Sequence, residues 1–392
     1  MKELVKPNSR RQFLKTTGAI CSSLFLPNTA NVFAKKQTLS LGYLPITDAT
    51  PLLVAHGLGY FSDEGLKVDR PVMVRSWKVL TESFLAGKFN LTHMLFPIPI
   101  WMRFKQNMPV KVLAWNHTNG SAVTVRHDSD IYRFKDLGGK KIAVPSWYSM
   151  QNLVLQIGLR SQGLRPVIKP QSTRLAEDEV NLFILAPPDM PTALLGKKID
   201  GFIVADPFNA LAQIKLNARI MRFTGDIWKD HPCCVIVAND NFINQNNLII
   251  QKAINAIVRA QAWCINNPKE TAHLLSRDGE GYLPMPKNVL YKVFTKPEKN
   301  QLVHPQWDVS RIGFQPFPFP SATQFIIDQM KQTLVEGNTD FLKNLDTLKA
   351  TDNLVENKFV LKALSEMGGM QKFCNCDIVQ PYTREEIIEI NK

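Results

Sequence analysis

The chain has little of what would mark a membrane, nucleic-acid or motif-bearing catalytic protein. Beyond the N-terminus, no apolar run free of charges reaches the roughly 20 residues that a membrane-spanning helix needs. HExxH, GxxxxGK[ST], GxGxxG and the GxSxG elbow are all missing, so zinc-protease, P-loop, dinucleotide and serine-hydrolase readings have no motif to stand on. Cysteine is sparse at six residues and no CxxC pair occurs, which removes regular zinc-finger and thioredoxin spacings. The formal charge is +13, yet no stretch carries five like charges in a row. A footprint on phosphates needs clustered basic residues, so no nucleic-acid partner is expected.

Part of that charge sits at the N-terminus. Residues 1–34 hold five basic residues and one acid, leaving 42 basic against 33 acidic residues, or +9, on the remainder. Ser9-Arg10-Arg11-Gln12-Phe13-Leu14-Lys15 is a twin-arginine export motif, followed by a short apolar stretch from Thr16 to Leu26. Val32-Phe33-Ala34 places small residues at the −3 and −1 positions of a cleavage site. A signal peptide over 1–34, cut near Ala34, is therefore expected, with the mature protein in the periplasm.

The rest reads as α/β. Thr38 to Tyr43 predicts a first strand, and Pro51 to Gly57 a helix with proline in its first turn. Two segments repeat one design. Phe84 to Lys88 and Ala193 to Lys197 each predict a helix stopped by glycine. Each then leads through an apolar strand (Leu91 to Phe96, Ile199 to Ala205) to a proline-marked turn at Pro97 or Pro207. Two copies about 110 residues apart suggest two similar lobes rather than a solenoid. The second lobe's first strand is expected at Ile142-Ala143-Val144. Ile250, Ile254, Ile257 and Val258 predict a long amphipathic helix, with Asn267 capping the next one. Gln315 to Pro320 must be extended, because alternating prolines block a helix. The tail from Thr323 onward is expected to be helical and to wrap the first lobe.

Several short pieces, in this order, carry a resemblance: Asp48-Ala49-Thr50-Pro51-Leu52, Gly59-Tyr60-Phe61, Phe96-Pro97-Ile98-Pro99, Asp200-Gly201-Phe202, Asp206-Pro207-Phe208 and Ile227-Trp228-Lys229-Asp230-His231-Pro232. From Leu41 to about Phe373 the chain resembles the nitrate, sulfonate, taurine and bicarbonate branch of ABC-importer substrate-binding proteins. The resemblance implies a two-lobed Venus-flytrap fold, each lobe a mixed sheet flanked by helices, with lobe 1 in 35–125 and 223–392 and lobe 2 in 126–222. It implies a small anionic or zwitterionic ligand, an inner-membrane permease and ATPase as partners, a monomer, and no enzyme activity or cofactor. The alternative within the same superfamily is a thiamine-pyrimidine-precursor binding protein, or a synthase-like enzyme with a cysteine and metal site.

Strand ends and helix starts facing the cleft give the candidate ligand contacts. On the first lobe these are Thr47 and Asp48, Ser76 and Trp77, the turn at Pro97, and the Trp115 to Asn119 segment with Asn119. On the second they are Ser146, Trp147, Ser149, Gln151, Asp189 and Asp206. Asp48 is equally suited to cap the helix after it. Lys229 stands where nitrate-binding relatives place a ligand-contacting lysine, whereas their contacting tryptophan falls at Met94 here. For Cys233, Cys234, Cys374 and Cys376 three readings stay open: a disulfide tying the tail to the body, buried free thiols, or a soft-metal site combining His231 with all four. No metal site is assigned.

Overall fold

The structure is a computed structural model, and it describes residues 38–295, 311–375, 377 and 379–390. The expected signal peptide, with Arg10, Arg11 and Ala34, lies outside the described residues, as does Cys376. Strands are numbered in chain order. One sheet contains β1 (Leu41–Tyr43), β2 (Val72–Met73), β3 (Leu91–Leu95), β4 (Val110–Trp115) and β12 (Cys234–Asn239), in the order β2-β1-β3-β12-β4. The other contains β6 (Ser121–Val125), β7 (Lys141–Val144), β8 (Arg165–Val167), β9 (Glu179–Ile184), β10 (Gly201–Ala205) and β11 (Arg219–Phe223), in the order β11-β6-β10-β7-β9-β8. In each, one strand runs against its neighbours: β12 is antiparallel to β3 and β4, and β6 to β10 and β11.

The sequence explains the strands. β12 reads Cys-Val-Ile-Val-Ala-Asn and β10 Gly-Phe-Ile-Val-Ala, near-continuous apolar runs suited to strands covered on both faces, and both are buried along almost their whole length. The repeated design appears as helix Trp77–Leu85, β3 and helix Pro97–Phe104 in one sheet, and as helix Met190–Leu195, β10 and helix Phe208–Leu216 in the other. The stops differ in detail. Gly87 takes the left-handed conformation at φ 71°, but after the second helix Gly196 stays at φ −74° and Lys197 turns left-handed instead.

The chain passes between the sheets twice, through 116–120 and through 224–233. The second sheet begins at β6, so its first strand lies inside the segment expected to close the first lobe, and Ile142 to Val144 forms its second. The alternation Ser-Ala-Val-Thr-Val of β6 carries no signal of which sheet it joins; antiparallel pairing to β10 decides it. The crossovers are stitched together. β5 (Thr118–Asn119) pairs with β13 (Ile312–Gly313), Thr118 bridges Pro232, and Asn119 N–H donates to His231 O at 2.9 Å.

Helix Asn247–Asn266 buries Ile250, Ile254, Ile257, Val258 and Cys264 on one face, against helices Thr50–Gly57 and Lys358–Glu366. Its fully buried Gln261 donates to the carbonyls of Trp115 (2.8 Å) and Asn116 (2.9 Å), fixing the start of the first crossover. Asn267 precedes the next helix, but its side chain donates backward to Trp263 O rather than capping forward. Residues 314–319 form neither helix nor strand, with Phe319 N–H donating to Phe317 O at 3.1 Å, and helix Pro320–Met330 starts on its proline. The tail is helical but reaches further than one sheet. Helix Pro320–Met330 packs against both Pro97–Phe104 and Met150–Ser161, and Gln156 exchanges hydrogen bonds of 2.8 Å with Leu334 N–H and C=O.

Candidate functional site at the crossovers

Polar side chains from both sheets and both crossovers meet in one buried place. The loop after β1 forms a short 3-10 turn, Thr47–Ala49, and Thr47 donates from N–H (2.9 Å) and Oγ1 (2.8 Å) to Asp206 O at the end of β10. The Asp206 carboxylate accepts Ala210 N–H at 3.0 Å, so it caps the helix after Pro207. Its other oxygen lies 3.7 Å from Arg311 Nη1, both side chains only 1% exposed. Burial pushes the Asp206 carboxyl up and the Arg311 guanidinium down; each partner opposes the other's shift.

Asp48 does not cap the following helix. Its Oδ2 lies 3.1 Å from His117 Nε2, 3.2 Å from Cys234 Sγ and 3.5 Å from Cys233 Sγ. All four residues are fully buried, and their potential donor atoms lie within 4.8 Å of one another. His117 comes from the first crossover, with Nδ1 3.3 Å from Thr118 O and Nε2 3.2 Å from Cys234 N. Burial opposes charge on this ring, but the Asp48 carboxylate and the Cys233 thiol outweigh it and raise its pKa to about 10. Burial raises the Cys234 thiol well above the ordinary range, whereas Cys233, against the same burial, is drawn down by its hydrogen bond with Cys234 and by His117. From the second sheet's helix, Gln151 Nε2 reaches Ser121 Oγ at 2.9 Å and Cys233 Sγ at 3.3 Å.

Beside these contacts stand buried polar atoms with no hydrogen-bond partner: Asp48 Oδ1, Asn116 Oδ1, Asn119 Oδ1, Gln151 Oε1, His231 Nε2, and Asp206 Oδ2, which has only the long ion pair to Arg311. Unsatisfied buried groups are rare and costly in a core, at roughly 1–3 kcal/mol each. Their concentration at the crossovers marks a place built to receive something.

A cleft of about 440 Å³ is lined by Ser76, Trp77 and Trp101 from the first sheet's side and by Ser146, Tyr148 and Ile184 from the second's. Trp101 and Tyr148 stack across it at 5.6 Å, and Trp77 sits edge-on to His93 at 5.5 Å.

The candidates thus divide. Thr47, Asp48, Asn119, Gln151 and Asp206 lie at the crossovers, and Ser76, Trp77 and Ser146 line the cleft. Pro97, Trp147 and Ser149 share a small neighbouring cavity. Ser76 and Ser149 also cap the helices they precede, accepting from Val79 N and Asn152 N, and Trp147 Nε1 donates to Glu336 of the tail at 3.1 Å. Asp189 is exposed. Lys229 is half-buried beside the tail, its N–H donating to Ile387 O at 3.0 Å, while its neighbour Trp228 is fully buried and donates to Glu386.

Of the three readings open for the cysteines, buried free thiols hold for Cys233 and Cys234. Cys233, Cys234 and Cys264 are free buried thiols, so none of them ties the tail to the body. Cys374 is disulfide-bonded, to a partner outside the described side chains. Among the described residues, the group with metal-ligand spacing is Asp48, His117, Cys233 and Cys234, without His231. Sequence reasoning had bracketed 115–119 without singling out His117, and passed over Arg311 and His93. A run of polar residues between two strands, Asn116-His117-Thr118-Asn119, was the available signal for His117.

The sequence model of the NMT1-like family matches residues 33–276. The chain belongs to the NMT1-like family. It is 28% identical over 303 residues to the nitrate/nitrite binding protein NrtA of Nostoc sp., covering 65% of this chain and 66% of that relative, just under two-thirds. It is 26% identical over 279 residues to the nitrate import ATP-binding protein NrtC of Synechocystis sp., of which it spans 40%. Among solved structures, the periplasmic nitrate-binding protein NrtA from Synechocystis superposes with a TM-score of 0.73, 18% identity, and coverage of 90% of this chain and 94% of that one. This NMT1-like chain therefore has the periplasmic-binding-protein fold, α/β with mixed sheets flanked by helices.

Proposed function

We propose that the chain is the solute-binding component of an ABC importer. It works outside the cytoplasm with an inner-membrane permease and ATPase, as a monomer exported by the twin-arginine route and cut near Ala34. It takes a small anionic or zwitterionic solute between two lobes and does no chemistry on it. The observation that carries this reading is the meeting of polar side chains from both sheets at the two crossovers, in a chain that also has a cleft walled from both sheets' sides. Such a site grips a ligand hardest when both halves touch it, which couples binding to closure. The +9 charge of residues 35–392 and the nitrate-binding relatives support the anionic class.

The test is a thermal-shift panel of nitrate, bicarbonate, taurine, alkylsulfonates and pyrimidines on residues 35–392, followed by calorimetry. At least one compound should raise the melting temperature and bind one to one. Ser146→Leu, which adds bulk to the cleft lining, should weaken that binding at least tenfold, about 1.4 kcal/mol. The reading fails if no compound shifts the melting temperature and native mass spectrometry finds nothing carried through purification.

A further inference from the structure

We infer that Asp48, His117, Cys233 and Cys234 form a binding site for one thiophilic divalent cation of the zinc class, held at the crossovers between the two sheets. The donor set is two sulfurs, one imidazole nitrogen and one carboxylate oxygen, the mixture borderline-soft cations accept in four-coordinate sites. The spacing fits as well. Tetrahedral ligands at zinc-like bond lengths of about 2.0–2.3 Å stand roughly 3.3–3.8 Å apart. Asp48 Oδ2 lies 3.1, 3.2 and 3.5 Å from the other three donors, and all four lie within 4.8 Å of one another, a set that small side-chain shifts close onto one cation.

Without a cation, the arrangement is a poor piece of core. Two thiols turn on one carboxylate oxygen, the second oxygen of that carboxylate is buried without a partner, and all four side chains are sealed from solvent. A divalent cation replaces the shared protons, compensates the thiolates and the carboxylate, and turns crowding into coordination.

The surroundings are those of a supported ligand set. A cation takes the place of the proton on His117: with Nδ1–H donating to Thr118 O, Nε2, 3.2 Å from Cys234 N, turns its lone pair to the metal. Gln151, on a helix of the second sheet, donates to Cys233 Sγ, so the support reaches across from the other sheet. The four ligands come from three separate segments: the loop after β1, the first crossover, and the junction of the second crossover with β12. Occupancy would therefore pin the place where the chain passes between sheets.

This inference stands apart from the transport reading and needs no solute. Metal-free, reduced residues 35–392 are titrated with Co2+ as a spectroscopic probe, then with Zn2+. The expected result is one Co2+ per chain, a thiolate-to-cobalt charge-transfer band, and displacement by Zn2+. Cys233→Ser and Cys234→Ser should each abolish the band or weaken Co2+ binding at least about 100-fold, and Gln151→Leu about tenfold. Cys264→Ser, a buried thiol elsewhere, should leave the band unchanged. Asp48→Asn keeps the shape of the side chain and must also weaken Co2+ binding, so the inference stays open to refutation if the serine variants do not fold. It is overturned if wild type shows no thiolate band, or if the band survives in the Cys233→Ser/Cys234→Ser double variant. Neither result touches the solute panel, so the two readings fail separately.

Discussion

Arg311→Met tests whether the floor of the site is held by charge. Wild type places Arg311 Nη1 3.7 Å from Asp206 Oδ2 with both side chains 1% exposed, and Arg311 also reaches Gln213 at 2.5 Å and lies over Phe223 at 5.0 Å. Methionine fills much of the same space but leaves the carboxylate alone in the core. Breaking a buried pair from one side costs about 3–5 kcal/mol. A ceiling exists, because Asp206 can escape by taking a proton. From an ordinary carboxyl pKa near 3.9, that costs about 4 kcal/mol at pH 7 and about 1.5 kcal/mol at pH 5. The lost Gln213 bond adds about 1 kcal/mol that acid does not change. Asp206 is already raised by burial in wild type, where Arg311 opposes the shift; losing Arg311 raises it further, so the variant gains stability relative to wild type as pH falls. Urea unfolding followed by circular dichroism should show a deficit of about 5 kcal/mol at pH 7 that shrinks to about 2.5 kcal/mol at pH 5. Asp206→Asn combined with Arg311→Met should be milder than the single change at pH 7, since an amide can still accept from Ala210 N–H. An equal deficit at both pH values, or a double variant as unstable as the single, would refute the charge argument.

Two further outcomes are expected. Burial lowers the pKa of His93 to about 3 against the opposing pull of Asp48, and its Nε2 accepts Leu44 N–H at 3.1 Å, so the fold needs the neutral ring. Its contribution is complete above the unfolded pKa of about 6.5 and is lost as pH falls from there toward 3, about 2 kcal/mol of it by pH 5. His93→Gln keeps an acceptor without a titration in this range, so its stability should fall less steeply than wild type between pH 6.5 and 5; identical slopes would sink the assignment. Replacing Arg10 and Arg11 together by lysine should leave full-length precursor in the cytoplasm on fractionation, and normal export of that variant would remove the twin-arginine proposal.

Much of the fold was legible because it is written in local signals. Proline at the start of helices, glycine near their ends and apolar runs of strand length gave the repeated helix–strand–turn units at 77–104 and 190–216. What failed was information that is not local. β6 looks like any half-buried strand, and only its pairing with β10 puts it in the second sheet. Asn267 had the residue type for a forward cap, yet a competing carbonyl one turn back, at Trp263, took its amide. The left-handed turn after Leu195 fell on Lys197 although Gly196 stood beside it, so residue type alone did not place the positive φ.

The site was half legible for the same reason. Loops after strands are where an α/β fold gathers ligands, and that rule pointed to Thr47, Asp48, Asp206 and, one residue into its helix, Gln151, which the structure brings to the crossovers. It could not find what they face. Asp48 and Cys233 are 185 residues apart, and His117 stands in neither strand nor helix. The adjacent cysteines were the most misleading pair. Successive residues in a strand point to opposite faces, so Cys233 and Cys234 should not serve one partner. Cys233, however, precedes β12 and belongs to the crossover, where its N–H donates to His117 O; only Cys234 is in the ladder, opposite Leu95. That break in the strand lets both sulfurs reach the same carboxylate oxygen, and it exists because the chain changes sheets there. The feature that makes this a two-sheet protein is therefore also the one that brings the two thiols onto Asp48.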